Sequence, residues 1–303
     1  MNRDREMNRG GAPMKPSDSL FIDVRGLRYH VRTWGEAGAR KLFLLHGWMD
    51  VSASFQFLVD ALKADWQVLA PDWRGFGLSA WPHEGYWYAD YVADLDGLVR
   101  ALSPDAPVDI VGHSLGGNVA LMYAGLRPAR VRNVVSLDGF GIPGEGPDVA
   151  PKKFTAWLDA LEAPPALSAY RSLASVADRL QKNNARLPRD NAEFLASHWG
   201  EAMPDGTARL RADPRHKLPF PNVYRLEEVY AIWQRIEAPA LWVAADDSDI
   251  PRWLAGGGDP AAEIARRMAH VPGARLVTIA DAGHMLHHDQ PEAVARALET
   301  FLA

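Results

Sequence analysis

One serine lies in a sequence context that favours nucleophilic chemistry. Residues 112–117 read Gly-His-Ser-Leu-Gly-Gly, so Ser114 is the centre of a G-x-S-x-G pattern. This pattern predicts a tight strand-to-helix turn in which the serine has a strained backbone. Glycine is expected at positions 112 and 116 because a larger side chain there would collide with the neighbouring strand or helix. A serine hydroxyl is a weak nucleophile near neutral pH, so it needs a base and a site for the negative charge that its attack creates. Ser114 is therefore our candidate nucleophile for acyl transfer.

His284 is the candidate base among the ten histidines of the chain. It follows the last predicted strand, 274–279, and precedes the C-terminal predicted helix, 291–302. The carboxyl ends of parallel strands lie at one edge of a sheet, so we expect His284 and Ser114 to face the same crevice.

Four aspartates compete to orient the imidazole of this base. Asp246, Asp247 and Asp249 follow the predicted strand 240–244, and Asp138 follows the predicted strand 131–137. Only one of them can accept the Nδ1–H of the histidine and stabilise the imidazolium. The residues alone leave this choice open.

The elements that must position these residues alternate along the chain. Short apolar runs predict eight strands, and helical spacing of apolar residues predicts helices between most of them. The predicted strands are 20–24, 27–33, 41–45, 66–70, 108–111, 131–137, 240–244 and 274–279, and the predicted helices are 52–64, 88–102, 118–124, 260–269 and 291–302. This order predicts an α/β fold with a mostly parallel sheet flanked by helices.

The alternation stops between residues 141 and 236, and this interval is too long for a simple connection. It contains predicted helices at 154–161, 169–181, 191–199 and 226–236, so we interpret 141–236 as a helical cap, 20–140 with 237–303 as the core, and 1–19 as a disordered leader. The cap is rich in large rings, namely Trp157, Tyr170, His198, Trp199, His216, Phe220, Tyr224, Tyr230 and Trp233. Together they indicate an apolar, enclosed pocket for the acyl or alcohol part of a substrate.

Composition excludes several classes of site. The chain of 303 residues has no cysteine, which excludes disulfides, thiolate metal sites and a cysteine nucleophile. The net charge of −5 argues against nucleic acid as a partner. No apolar run reaches the roughly 20 residues of a membrane span, and the polar N-terminus does not resemble a secretory signal. We therefore expect a cytoplasmic protein without a membrane span, while its oligomeric state is left open.

The adjacent pair His287-His288 invites a metal interpretation. Neighbouring side chains at a helix start point in different directions, and no cluster of Cys or Glu supports a metal. We expect neither a metal nor a cofactor.

The chain from Leu20 to its C-terminus resembles the α/β-hydrolase fold superfamily, in particular its lidded, esterase-like serine hydrolases. The motifs that carry the resemblance are His46-Gly47-Trp48, the loop 72–79, the turn 112–117 and Gly283-His284. The resemblance implies that Ser114 is the nucleophile, that His284 is the base, and that the backbone N–H groups of Trp48 and Leu115 form the oxyanion hole. It also implies a structural role for Asp72 and Arg74 and a packing role for His113.

The sequence departs from the family pattern at the acid. The family usually has Gly-x-x-Asp after this strand, whereas here Ala245 replaces the glycine and Ser248 stands at the acid position. A shift by one residue gives Asp247 or Asp249. We favour Asp249, because Ser248-Asp249-Ile250 matches the Ser-Asp-hydrophobic sequence of many lidded hydrolases; Asp247 instead fits the spacing to Pro251.

The predicted function is a serine hydrolase that cleaves a small to medium apolar carboxylic ester, its small-molecule partner, through an acyl-enzyme on Ser114. The first alternative keeps the triad and changes the bond, giving a carbon–carbon bond hydrolase, a thioesterase or a lactonase, since substrate choice resides in the cap. The second is a non-catalytic ligand-binding homologue, which the irregular acid loop alone supports. Haloalkane dehalogenase and epoxide hydrolase activities are not expected, because they need an aspartate at position 114.

Overall fold

The structure of the protein is a computed structural model that describes residues 14–83 and 85–303. Most of the predicted leader therefore lies outside the described residues. Its last residues, from Ser17, belong to the first strand and pair with the second. The predicted boundary at residue 19 is thus too late, because the backbone of 17–19 is hydrogen-bonded in the sheet.

The described chain contains ten strands and eleven α-helices, separated by short 3₁₀ turns. The strands are β1 (Ser17–Val24), β2 (Leu27–Trp34), β3 (Arg40–Leu45), β4 (Trp66–Pro71), β5 (Val108–His113), β6 (Val131–Leu137), β7 (Gly200–Ala202), β8 (Ala208–Leu210), β9 (Ala240–Ala245) and β10 (Arg275–Ile279). The helices are α1 (Gln56–Ala61), α2 (Tyr88–Leu102), α3 (Leu115–Leu126), α4 (Ala150–Glu162), α5 (Leu173–Asn183), α6 (Arg189–Trp199), α7 (Leu226–Trp233), α8 (Ile250–Ala255), α9 (Pro260–Met268), α10 (Leu286–Asp289) and α11 (Pro291–Leu302).

Eight strands form one sheet in the order β1-β2-β4-β3-β5-β6-β9-β10. The pairs β1–β2 and β2–β4 are antiparallel, and every other neighbouring pair in this sheet is parallel. The predicted mostly parallel, eight-stranded sheet is confirmed. The carboxyl ends of β5, β6, β9 and β10 consequently lie at the same edge.

Apolar residues alternate between the two faces of this sheet. In β3, Phe43 and Leu45 belong to the core beneath α2, α3 and α7, whereas Leu42 and Leu44 belong to the core beneath α1 and α11. A strand buried on both faces needs such a continuous apolar run, because successive side chains point in opposite directions. The sheet is therefore a rigid layer from which its terminal loops project.

The segment between β6 and β9 contains α4 to α7 and a hairpin of β7 and β8. The helices were expected from the sequence, and the hairpin was not. Helices α5 and α6 share a small apolar core that includes Leu180 and Leu195, and Phe57 of α1 belongs to the same core. This contact attaches α5 and α6 to the layer that contains α1.

Helix α7 differs from its predicted place in the cap. Val229 and Trp233 of α7 lie in the main core. A Cβ on Gly125 of α3 would lie 2.1 Å from the carbonyl oxygen of Ile232, so the two helix backbones are nearly in contact. The residues from Leu226 onward therefore belong to the helical layer over the sheet, and the predicted cap boundary at 236 is too late.

Helix α4 has no buried side chain, although Phe154, Leu158 and Leu161 recur at helical spacing. Its apolar face therefore remains uncovered in the described structure. Within the described ranges no helix combines the length and apolar character needed to cross a membrane.

Candidate active site

Ser114 occupies the turn between β5 and α3 with φ +51° and ψ −114°, a conformation that a non-glycine residue rarely adopts. Close packing enforces the turn, because a Cβ on Gly116 would lie 2.0 Å from the carbonyl oxygen of Leu45. The backbone N–H of Ser114 donates to the carbonyl of Leu137 at 2.9 Å. The serine is therefore held at the carboxyl edge of the sheet by both neighbouring strands.

His284 lies within hydrogen-bond reach of this serine. Its Nε2 is 3.1 Å from the Ser114 Oγ. Two carboxylates order the loop before it: Asp246 accepts from the backbone N–H of Ala282 at 3.2 Å, and Asp289 accepts from that of Gly283 at 2.8 Å. The imidazole is thus presented to Ser114 by a braced loop.

The partner of His284 on its other side is Asp138. Nδ1 of the imidazole lies 2.7 Å from Oδ2 of this buried carboxylate. The same oxygen accepts from the Ser248 hydroxyl at 2.5 Å. Because a carboxylate only accepts, the imidazole carries its hydrogen on Nδ1, and Nε2 is free to accept the hydrogen of Ser114.

The expectation that Asp249 or Asp247 orients His284 is wrong for this geometry. The Asp249 side chain is 88% exposed and pairs with Arg252. Asp247 is 61% exposed and pairs with Arg186 at 2.7 Å. Both carboxylates point outward, and the fourth candidate, Asp138, takes the inner position.

The acid is not displaced by one residue within the loop after β9, because the carboxylate that contacts His284 follows a different strand. Asp138 follows β6, which lies between β5 and β9, whereas the family acid follows the strand that corresponds to β9. The residue at the family position, Ser248, donates to the Asp138 carboxylate instead. A polar non-acid at position 248, together with an aspartate after the strand beside β5, was the signal available in the sequence.

The loop proposed to supply the oxyanion hole passes next to the serine. A Cβ on Gly47 would lie 3.4 Å from the Ser114 Cβ. Leu115 directly follows the serine as the first residue of α3, and the first N–H groups of a helix have no partner within it. His46 holds the loop from below, since its Nε2 accepts the backbone N–H of Trp73 at 2.8 Å. Burial lowers the pKa of His46 to about 4, so it stays neutral in this role.

Asp72 and Arg74 brace the structure. Asp72 accepts from the backbone N–H of Ser52 at 2.7 Å and bonds His30 at 2.7 Å. Burial opposes its charge, but hydrogen bonds from His30 and other neighbours hold the pKa of Asp72 well below its ordinary value. Arg74 forms a paired contact with buried Asp94. These side chains hold the loop after β4, in agreement with their expected role.

Several of the predicted cap aromatics have clear ring contacts or a place in the core. Tyr230 and Trp233 are buried in the core, and His216 stacks between Phe76 and Tyr86 with ring centroids 3.8 and 3.5 Å away. Two others, Trp157 and Phe220, each lie 6.3 Å from Trp87 between ring centroids, and Trp157 also lies 6.5 Å from Phe154; Trp87 and Phe154 were not among the predicted aromatics.

Comparison with known proteins identifies the family of this chain. The model of the alpha/beta hydrolase family matches residues 42–297. A serine hydrolase-like protein of Danio rerio is 29% identical over 278 residues, which are 89% of this chain and 84% of that protein. The 2-(acetamidomethylene)succinate hydrolase of Mesorhizobium japonicum is 28% identical over 286 residues, or 94% of this chain and 95% of that enzyme.

A solved structure gives the same result for the fold. The thioesterase domain from the curacin biosynthetic pathway superposes with a TM-score of 0.84 at 22% identity, covering 94% of this chain and 99% of that domain. At this identity the likeness concerns the fold alone.

Proposed function

Because this chain belongs to the alpha/beta hydrolase family, we propose that it is a serine hydrolase of carboxylic esters whose triad is Ser114, His284 and Asp138. The observation that carries the proposal is the unbroken series of contacts from the Ser114 Oγ through both ring nitrogens of His284 to the Asp138 carboxylate. Nucleophile, base and orienting acid need this connectivity.

In the first half-reaction, the Ser114 Oγ attacks the carbonyl carbon while His284 Nε2 takes its hydrogen. The Asp138 carboxylate stabilises the imidazolium that forms. The oxyanion is stabilised by the backbone N–H groups of Trp48 and Leu115, and losing one such donor typically costs about 2.7–4 kcal/mol of transition-state stabilisation. The intermediate collapses as His284 returns the proton to the departing alcohol, which leaves an acyl group on Ser114.

In the second half-reaction, His284 takes a proton from water, which attacks the acyl carbon. Collapse of the new intermediate breaks the bond to Ser114, returns the proton to its Oγ and releases the carboxylic acid.

Open apolar surface supports an apolar substrate of small to medium size. Trp48 is 53% exposed although its backbone belongs to the loop beside Ser114, and Phe154 and Leu158 are about half exposed. A substrate that covers such side chains gains roughly 25 cal/mol for each Å² of apolar area removed from water.

The second part of the proposal is the type of bond that the enzyme cleaves. The same triad serves esters, thioesters, lactones and carbon–carbon bonds, and an ester is the simplest substrate for it. The alternative of a non-catalytic binding homologue rested on the irregular acid loop, and the contact between Asp138 and His284 removes that support.

Labelling with a fluorophosphonate probe tests the nucleophile. We expect covalent labelling of the wild-type chain at Ser114 and none in Ser114→Ala. An unlabelled wild type, or equal labelling of the two chains, would reject the proposal. A panel of p-nitrophenyl esters of rising chain length, with an acyl-CoA and a lactone beside it, then ranks the bond types by kcat/KM.

A further inference from the structure

Three buried side chains that the proposed reaction does not use as reactants converge beside the triad. Asp50, His113 and His287 each offer one ligand atom, and these atoms lie within 4.8 Å of one another. The three residues come from the loop after β3, the end of β5 and the start of α10, and none is more than 3% exposed. The His113 ring is 4.5 Å from that of His287 and 4.7 Å from that of His284, measured between centroids.

The hydrogen bonds of His113 fix its tautomer. Its Nε2 lies 2.8 Å from the backbone carbonyl oxygen of His284, which only accepts, so Nε2 carries the hydrogen. Nδ1 then holds a lone pair, and this atom has no hydrogen-bond partner within residues 14–83 and 85–303. His113 thus has a buried acceptor that is left unpaired among the described residues.

Asp50 adds a second acceptor. Its Oδ1 accepts from the backbone N–H of Val51 at 2.8 Å and from the Ser54 hydroxyl. Its Oδ2 is buried and has no partner in the described part of the chain.

His287 completes the cluster. Both of its ring nitrogens are buried without a partner among the described residues, and its ring lies 5.2 Å from that of Phe55. Each unpaired buried polar group costs about 1–3 kcal/mol, and one cation would pair one atom of each of the three residues.

We propose that Asp50, His113 and His287 form a binding site for a divalent transition-metal ion of the zinc class. Two imidazoles and one carboxylate are the ligands that such ions take, with bonds of about 2.0–2.2 Å. A tetrahedral ion with such bonds holds its ligand atoms about 3.4 Å apart, so donor atoms that are up to 4.8 Å apart must approach one another by up to about 1.4 Å when it binds. The bond from His113 to the His284 carbonyl is the outer contact that a metal-ligating histidine usually makes through its other nitrogen.

This site explains why the adjacent histidines did not predict a metal from sequence. His287 faces Asp50 and His113, which the fold brings from distant strand ends, whereas the Nε2 of His288 lies 3.1 Å from the Ser54 carbonyl oxygen. The two rings nevertheless lie 4.3 Å apart between centroids, so the expectation that they point in different directions is wrong. Only one of them belongs to the site.

The site has a consequence for the proposed hydrolysis, and this part alone rests on the proposed function. A bound cation beside His284 disfavours the imidazolium that the triad must form when Ser114 is deprotonated. Occupancy should therefore lower kcat, and a chelator should restore it.

Metal binding is tested independently of activity. Untagged wild-type chain, stripped with chelator, is dialysed to equilibrium against Zn²⁺, and Co²⁺ is added in parallel as an absorbing probe. We expect one ion per chain with two nitrogen ligands in the X-ray absorption spectrum. Asp50→Asn and His287→Gln should each weaken binding at least about tenfold.

His288→Gln and Ser114→Ala are the matched controls, and both should bind Zn²⁺ as tightly as wild type does. Thermal melting followed by circular dichroism checks the fold of every variant. The X-ray absorption spectrum of the wild type identifies the ligands of the ion even if a variant fails to fold. The proposal is wrong if the wild type binds no stoichiometric Zn²⁺, if Asp50→Asn and His287→Gln bind it undiminished, or if its spectrum lacks imidazole ligands. Binding without inhibition would leave the site intact and overturn only its coupling to hydrolysis.

Discussion

Asp138 carries a contact that no other described carboxylate makes, because its Oδ2 lies within reach of both His284 and Ser248. Asp138→Asn replaces this acceptor with an amide that can favour the wrong imidazole tautomer. We expect kcat to fall by up to about 10⁴-fold with little change in KM. The rate of ester hydrolysis at saturating substrate measures kcat. Asp249→Asn and Asp247→Asn are the controls, and a comparable loss in either one would contradict the assignment of the acid.

The short distance between Ser248 and Asp138 permits a sharper test of the same residue. The double change Asp138→Asn with Ser248→Asp puts a carboxylate at the position that the family usually uses. We expect this double variant to recover part of the kcat lost in Asp138→Asn, because a carboxylate can then reach Nδ1 of His284 from the other side. If Ser248→Asp alone lowers kcat and gives no recovery in the double variant, the two positions are not interchangeable.

At the scale of elements, the turn between β5 and α3 depends on the close approach of backbone to backbone. Gly116→Ala would put a Cβ 2.0 Å from the Leu45 carbonyl oxygen, so β3 and α3 must separate. We expect the free energy of unfolding to fall by about 1–3 kcal/mol and kcat to fall with it. Urea unfolding and ester hydrolysis measure the two effects. Gly273→Ala, which has φ +64° and open space, is the control: it should cost stability and spare kcat.

Helix α4 is the element whose apolar face is uncovered, and its helix begins twelve residues after Asp138 in the chain. Leu158→Ser removes apolar surface from this face without opening a cavity. We expect KM to rise for long acyl chains while the melting temperature is unchanged. A chain-length series of p-nitrophenyl esters measures this. Leu195→Ala, in the buried core of α5 and α6, is the control and should lower the melting temperature without changing KM. If KM is unchanged in Leu158→Ser, α4 does not contact the substrate.

For the whole molecule, buried neutral histidines make stability depend on pH. Burial lowers the pKa of His46 to about 4 and that of His216 to about 3. Between these values and the unfolded pKa of about 6.5, the unfolded chain binds protons that the folded chain does not. The free energy of unfolding should therefore decrease as pH falls from about 6.5 to 4, by up to about 1.4 kcal/mol per pH unit for each such histidine.

Urea unfolding at several pH values across this window measures the slope. His216→Gln removes one titrating group, so the free energy of unfolding should depend on pH less steeply, by up to about 1.4 kcal/mol per pH unit. His83→Gln serves as a control, since its partner contact in the structure is through the backbone carbonyl rather than the ring. Equal slopes for wild type and His216→Gln would show that His216 does not contribute.

Local sequence patterns were enough to predict the sheet, the turn and two members of the candidate triad. Alternating apolar strands and helices are local patterns, and Ser114 and His284 sit at strand ends whose common edge follows from the parallel order of the sheet. The predicted cap interval included α7, because α7 has the same helical spacing as the helices before it. Only its packing against α3 assigns it to the core.

The tertiary structure alone decided between four aspartates and brought Asp50, His113 and His287 together. Asp138 and His284 are 146 residues apart, and their contact depends on the order of β6, β9 and β10 in the sheet and on a strand-end backbone with φ +49° at Asp138. Spacing along the chain carries no information about such a contact. A carboxylate is selected by the distance and direction of its oxygen in the folded chain, and these are properties of packing between elements.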